Sequence, residues 1–188
     1  MTASEVAQGF TSAAADDDRW VDPRLARLAA TAAARGTVLL ANDGVLPLDP
    51  AARVAVFGRV QIDWFSVGYG SGGDVNAPYT TNLLDSLVEA GVAVDAELAE
   101  SYRSWCAARP VGAPEWGKWP RSHPEMELDE AAVEAAAARA DVAVVVIGRA
   151  AGEDRENVLE PGSYYLTETE RHLLERVTAR FERTVVIV

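Results

Sequence analysis

The sequence predicts an α/β fold, a partial three-layer sandwich with a mainly parallel sheet and helices on both faces of the sheet. Unbroken apolar runs at 54–57, 142–147 and 184–188 are typical of strands that are buried on both faces. Segments with apolar residues at helical spacing separate these runs. Strands that alternate with helices in this way form right-handed βαβ units, which indicates the parallel sheet.

The composition excludes several kinds of partner and site. With 188 residues, 49% of them apolar, the chain is long enough to bury a core. Its formal charge of −12 opposes contact with nucleic acid and with anionic membranes. One cysteine and two histidines offer no ligand set for structural zinc, so no metal is predicted. Without a targeting segment or a window of about 18 apolar residues, we expect a cytoplasmic protein that does not enter membranes.

The first part of the folded chain is predicted to be a helix that follows a flexible arm. Residues 1–22 mix small and acidic side chains without a period, so we expect an arm over 1–22 and a folded domain over 23–188. Pro23 suits the first turn of a helix, and Gly36 suits its end. Apolar residues at helical spacing between them predict a helix over 23–35.

Two short extended pieces and a buried strand are expected next. Residues 37–40 and 45–48 are short apolar runs on either side of Asn42-Asp43-Gly44, a sequence typical of a tight turn with positive φ. They predict two short strands around that turn. Residues 54–57 then predict the first strand of the parallel sheet, and a long glycine-rich loop over 58–78 follows it.

The middle of the chain is predicted to hold a clear helix and strand, and then an irregular segment. A helix over 80–90, capped by Thr80 or Thr81, is expected before a strand over 92–94. Apolar residues at helical spacing follow that strand. The irregular segment 109–124 comes after them, and its four prolines indicate an insertion or a lid.

The last part of the chain returns to alternating helices and strands. An alanine-rich helix over 129–140 is expected before the second of the apolar runs named above. Thr167 and Glu170 have the spacing of a capping box, which predicts a helix over 167–180 before the last run. Because the chain ends within that run, we expect it to be either the first part of a longer protein or the product of a truncated open reading frame.

Functional residues are expected in the loops after Phe57 and Ile147, because ligands of open α/β sheets bind beyond the carboxyl ends of the strands. Residues 68–73, Gly-Tyr-Gly-Ser-Gly-Gly, satisfy the G-x-G-x-x-G pattern of dinucleotide sites. These glycines begin ten residues after Gly58 and no helix follows them, a context that disfavours a dinucleotide. A flexible surface loop is a second interpretation. In a third, four polar side chains bind a polyhydroxylated ligand, namely Tyr69, Ser71, Asp74 and Asn76.

The second loop, 148–157, holds three carboxylates and two guanidinium groups directly after the strongest strand. A solvated run of charges is one interpretation. The other is that a carboxyl group at this edge acts as a general acid or base, and glycoside hydrolysis requires two such groups. Glu153 follows Gly152 and has a longer side chain than Asp154, so it is the candidate. Cys106 lies on an apolar helical face and is expected to pack rather than to react.

Several segments taken together resemble glycoside hydrolase family 3, the β-glucosidase family. Residues 37–48, TVLLANDGVLPL, are similar to the VLLKNDGVLPL segment of the α/β-sandwich domain of that family, with Ala41 in place of the usual lysine. Further segments match in the same order, at 56–59, 61–63, 70–72, 74–76, 140–149, 152–154 and 164–167. The segments from 56 to 76 are similar to members of the family in which the sandwich domain precedes the catalytic barrel. The resemblance covers 37–188.

The resemblance implies a retaining β-glycosidase that needs no cofactor. In this family an aspartate of a (β/α)8 barrel attacks the anomeric carbon, and a glutamate of the sandwich domain protonates the leaving oxygen. That glutamate corresponds to Glu153 in this sequence. Substrate contacts are expected from seven further residues, Arg59, Tyr69, Ser71, Asp74, Asn76, Asp154 and Arg155.

This chain departs from the family because it contains no barrel. Asp63-Trp64 is similar to the Asp-Trp pair of the nucleophile but lies in the sandwich domain, so that role is not transferred to it. A retaining mechanism needs two carboxyls roughly 5 Å apart across the sugar. We therefore expect 23–188 to be an incomplete sandwich domain, inactive alone, whose partners are a glycoside and the missing barrel. The alternative is a noncatalytic carbohydrate-binding or interaction domain.

Overall fold

A computed structural model describes residues 21–66, 79–111, 122–150, 152 and 158–188. The strands are β1 (Arg53–Phe57), β2 (Ala93–Val94), β3 (Val142–Val146) and β4 (Thr184–Ile187). The α-helices are α1 (Pro23–Gly36), α2 (Leu83–Glu89), α3 (Ala96–Ala107), α4 (Glu130–Ala137) and α5 (Glu168–Arg180), and a 3-10 turn, Arg59–Gln61, follows β1. Within these ranges the four strands form one parallel sheet in the order β2-β1-β3-β4. The predicted α/β fold is confirmed.

The two central strands send alternate side chains into two cores, one on each face of the sheet. On one face, Phe57 and Val145 pack beneath α3, α4 and α5. On the other face, Val56 and Val144 pack against α2. Because Phe57 pairs with Val145, β1 and β3 end at the same carboxyl edge of the sheet. The segments that follow these two strands therefore begin as neighbours.

Several predicted local signals are confirmed. Pro23 occupies the first turn of α1, and the side chain of Asp22 accepts the N–H of Arg24 as the N-cap of this helix, whereas residues 1–20 of the predicted arm lie outside the described residues. The predicted turn has φ of +104° at Gly44. The expected capping box opens α5 with both of its reciprocal hydrogen bonds.

The predicted strands at 37–40 and 45–48 are wrong. Val38, Leu39 and Leu40 are exposed, and neither segment pairs with a strand in the described part of the chain. A short apolar run becomes a strand only where a neighbouring strand offers hydrogen-bond partners and a surface to pack on. The sequence of such a run does not contain that information.

The boundaries of α2 and α3 also differ from the predictions. The N-cap of α2 is Asn82, whose side-chain oxygen accepts the N–H of Asp85 at 2.8 Å, so neither Thr80 nor Thr81 has that role. The ambiguous helical spacing after the second strand is a regular helix, α3. Of the predicted insertion, residues 112–121 lie outside the described residues.

Candidate functional site

Two glycines bring the segments after β1 and β3 into contact at the carboxyl edge of the sheet. Gly58 has φ of +98°, and a Cβ at this position would lie 2.2 Å from the backbone oxygen of Val146. A Cβ on Gly148 would lie 2.7 Å from Cγ1 of Val60 and 3.0 Å from the ring of Phe65. Glycine at position 58 permits the close approach of two backbones, and glycine at position 148 leaves room for the side chains of Val60 and Phe65. The two segments that the sequence singled out therefore leave the sheet in contact with each other.

Arg59 directly follows Gly58 and opens the 3-10 turn after β1, and its side chain is buried with 2% of its surface exposed. Its Nε donates to Oδ2 of Asp63 at 2.5 Å. Its two terminal nitrogens donate to the backbone oxygens of Pro124, at 3.2 Å, and Arg109. The guanidinium group thus joins the segment after β1 to the end of α3 and to the segment before α4. A contact between Arg59 and substrate stays a prediction, and the burial of this side chain disfavours such a contact.

Glu125 lies beside this arginine, and the sequence analysis missed it. Its carboxylate accepts the backbone N–H of Arg59 at 2.7 Å and that of Met126 at 2.8 Å. The hydroxyl of Tyr102 donates to the same carboxyl group and accepts the N–H of Gly58 at 2.9 Å. Burial raises the pKa of Glu125 to about 7 despite these donors. Because Arg59 lies 66 positions away in the chain, no local spacing could mark this carboxyl group.

His123 lies in the same segment and stacks on Phe65. The two ring centroids are 4.2 Å apart, and the planes meet at 18°. Its Nδ1 is buried without a hydrogen-bond partner among the described residues. Burial, and secondarily the nearby charge of Arg59, lower the pKa of this imidazole, so the neutral ring is favoured.

An ion pair between the partly exposed Arg149 and the buried Glu170 spans the segment between β3 and α5. The two terminal nitrogens of Arg149 donate to Oε1 and Oε2 of Glu170 at 2.7 and 2.8 Å. Glu170 is 4% exposed, and its Oε2 also accepts the N–H of Thr167 at 2.8 Å. Arg149 further donates to three backbone oxygens, those of Gly148 at 2.8 Å, Ser163 at 3.0 Å and Tyr165 at 3.3 Å. The sequence marked Glu170 as part of a cap but gave no sign of this contact.

The residues considered for other chemistry have structural surroundings. Burial, and secondarily the charge of Asp63, raise the pKa of the Cys106 thiol to about 11, so the group is protonated at neutral pH and suits a packing role. The described residues contain no group of three or more His, Cys, Asp or Glu side chains that could hold a metal ion. In the same ranges, no helix is long and apolar enough to cross a membrane. The cytoplasmic location stays a prediction.

Most of the predicted site residues lie outside the described residues. They are Glu153, Tyr69, Ser71, Asp74, Asn76, Asp154 and Arg155. The described residues that precede them, 59–66 and 148–150, follow β1 and β3 at the carboxyl edge. The individual roles of the seven residues stay predictions.

A family model and two curated relatives match this chain. The model of the glycosyl hydrolase family 3 C-terminal domain matches residues 37–188. A β-glucosidase from Ruminococcus albus is 42% identical over 161 residues, which cover 85% of this chain and 17% of that protein. β-Glucosidase A from Butyrivibrio fibrisolvens is 31% identical over 186 residues, which cover 86% of this chain and 22% of that protein. The chain thus spans about a fifth of the length of these relatives.

Solved structures of β-glucosidases have the same fold as this chain. A β-glucosidase from Paenibacillus barengoltzii superposes with a TM-score of 0.79 at 44% identity, over 82% of this chain and 17% of that one. β-Glucosidase 3B from Thermotoga neapolitana in complex with glucose superposes with a TM-score of 0.75 at 30% identity, over 88% of this chain and 24% of that one. The predicted family resemblance is confirmed.

Proposed function

The chain belongs to glycosyl hydrolase family 3, and from this membership we propose that it provides the acid/base side of the active site of a retaining β-glycosidase. Glu153 is the proposed acid/base residue. One observation carries the proposal: the segment between β3 and α5, which contains Glu153, starts at the carboxyl end of a central strand and is held there by Arg149 and Glu170. That edge is where open α/β sheets place their ligands.

In the proposed reaction, Glu153 donates its proton to the glycosidic oxygen while the bond between that oxygen and the anomeric carbon breaks. A carboxylate on the opposite side of the sugar forms a bond to the anomeric carbon. Water then attacks this carbon, Glu153 takes a proton from the water, and the carboxylate leaves. Because the chain spans only 17 to 24% of its β-glucosidase relatives, we place the nucleophilic aspartate in a (β/α)8 barrel outside this chain.

The proposed substrate is a β-glucoside, and no cofactor is required. The relatives are named β-glucosidases, and one of the similar structures contains glucose. Hydroxyl, carboxylate and amide groups suit the hydroxyls of a sugar. The residues proposed to make these contacts are Tyr69, Ser71, Asp74, Asn76, Asp154 and Arg155. Arg59 is proposed to act indirectly, by holding the segment after β1 in place.

The test is hydrolysis of phenyl β-glucoside, whose phenol is a poor leaving group that needs a proton, by the chain alone and by a joined protein, which is this chain followed by the sequence that its gene encodes downstream. Only the joined protein is expected to turn over the substrate. In the joined protein E153A is expected to lower kcat/KM by roughly 10²- to 10⁴-fold, the contribution of a general acid. The control is E156A, which removes a carboxylate of equal charge from the same segment and is expected to keep activity.

Two results would count against this function. Equal activity of E153A and the wild type would remove Glu153 from the acid role. A joined protein that binds glucosides without hydrolysing them would instead favour a noncatalytic carbohydrate-binding domain.

A further inference from the structure

We infer that Arg149 is a positioning residue, which fixes the base of the segment that carries Glu153 by binding both ends of that segment and the N-terminus of α5. The inference rests on the proposed function, because it assigns Arg149 a role through Glu153. Arg149 and the partners named below lie in the described part of the chain.

Arg149 contacts both ends of the segment between β3 and α5. It donates to the backbone oxygen of Gly148, where the segment starts, at 2.8 Å. It also donates to the backbone oxygens of Ser163 and Tyr165, where the segment ends, at 3.0 and 3.3 Å. A single planar guanidinium group therefore sets the separation and relative orientation of the two ends.

Glu170 gives this arginine a rigid support. The carboxylate binds the guanidinium group in a bidentate arrangement, which is the strongest and most directional form of such a pair. Glu170 itself is held by the backbone N–H of Thr167 and by its place in the first turn of α5. Leu173 and Val177 anchor α5 in the core. Because α5 is fixed in the core, Glu170 holds the guanidinium group in place, and the guanidinium group in turn holds the start of the segment.

This arrangement matters for an acid because Glu153 follows Arg149 by only four positions. The donated proton must lie within hydrogen-bond distance of the glycosidic oxygen. A displacement of about 1 Å in a reacting group lowers the rate by about 10²-fold. Loss of the contacts of Arg149 to Ser163 and Tyr165 is therefore expected to impair proton donation by Glu153.

The informative variant is R149K. Lysine keeps a positive charge beside Glu170 but cannot bind a carboxylate and three backbone oxygens in one plane. R149A would leave the buried carboxylate without a cation, and we expect it to unfold the domain. The matched control is R171K, because the guanidinium group of Arg171 pairs with Glu175 on the same helix in an exposed position.

The first measurement is hydrogen exchange of the wild-type, R149K and R171K chains. We expect R149K to accelerate exchange of the amides at 148–150 and 158–167, while amides of β1 and α4 keep their protection. R171K is expected to match the wild type. Equal protection of 158–167 in R149K and the wild type would overturn the inference, because the segment would then be fixed without the guanidinium group.

The second measurement is kcat/KM of the joined protein for aryl β-glucosides with good and poor leaving groups. R149K is expected to reduce kcat/KM by about 10-fold or more for poor leaving groups and little for good ones, because only poor leaving groups need the proton. In the E153A background, R149K is expected to cause no further loss. A merely structural role would reduce kcat/KM for all leaving groups alike, in both backgrounds.

The outcomes separate this inference from the proposed function. If the wild-type joined protein is active and E153A selectively loses poor leaving groups, but R149K resembles R171K, the positioning role is overturned and the acid role stands. If the wild-type joined protein is inactive, the proposed function fails and the role of Arg149 in catalysis fails with it.

Discussion

Glu125 is a buried residue at the carboxyl edge of the sheet whose charge depends on pH near neutrality. Its carboxyl group accepts backbone N–H groups from two segments and the hydroxyl of Tyr102, all of which favour the charged form. Burial outweighs these contacts and raises its pKa to about 7, and the negative charge of Glu170 adds to the shift. The group is therefore neutral in slightly acidic solution and charged in slightly basic solution.

This shift predicts that the domain is less stable at pH 8 than at pH 5. The folded pKa of Glu125 lies above its ordinary value of 4.5, so the folded chain retains a proton that the unfolded chain has lost. The stabilisation is fully present below pH 4.5 and is lost as the pH rises through 7. From pH 5 to pH 8 the free energy of unfolding should fall by about 1–3 kcal/mol, as measured by urea unfolding.

E125Q tests the assignment because glutamine does not titrate. Its free energy of unfolding should not fall between pH 5 and pH 8, and the lowered pKa of His123 should instead make it rise with pH. The control is E127Q, since Arg176 lowers the pKa of Glu127 and its titration falls below this range. The wild-type slope should persist in E127Q. A slope that also persists in E125Q would assign the effect to another group.

At the scale of elements, the junction of β1 and β3 depends on Gly58. G58A would place a Cβ 2.2 Å from the backbone oxygen of Val146 and force alanine to adopt φ of +98°. We expect G58A to lower the free energy of unfolding by about 3 kcal/mol or more, the sum of backbone strain and steric overlap.

Substitution of a second glycine separates the effect of backbone strain from the effect of steric overlap. Gly44 has φ of +104°, but a Cβ added to it would meet nothing within 4 Å, so G44A should show only the conformational cost of about 1–2 kcal/mol. Urea unfolding of both variants measures the difference. Equal losses would mean that the close approach of the two strands contributes nothing.

Elements with local signals could be predicted from the sequence, and contacts between elements could not. The capping box of α5 and the apolar runs of β1 and β3 lie within a few residues of chain, and the structure confirms them. The run at 37–40 has the same apolar character but no partner strand in the described part of the chain, so its prediction failed. The same difference between local signals and contacts of distant residues applies to the candidate site. The loop after β3 was predicted, whereas the contact of Arg149 with Glu170 joins residues 21 positions apart and left no local signal.

At the scale of the whole molecule, apolar side chains remain exposed at one edge of the sheet. Within the described residues, β4 pairs only with β3, and Val186 is 46% exposed. Leu25 and Leu28 of α1 are exposed as well. An open edge strand with apolar side chains favours pairing with another chain. We therefore predict that the isolated chain associates in a concentration-dependent way, which sedimentation velocity measures.

V186K should reduce this association, because a charged side chain on an edge strand opposes pairing. The control is V88K, the same substitution at a similarly exposed valine of α2, away from the edge. A wild-type chain that stays monomeric at all concentrations, or equal effects of the two variants, would contradict an association through β4.

Glu153 is proposed to be the acid of a retaining β-glucosidase. The most direct test of this claim is the dependence of kcat/KM on the leaving-group pKa across a series of aryl β-glucosides, for the joined wild-type, E153Q and E156Q proteins. Proton donation makes the rate insensitive to the leaving group. We expect a shallow slope for the wild type and E156Q and a steep slope for E153Q. Equal slopes for E153Q and the wild type would contradict the claim.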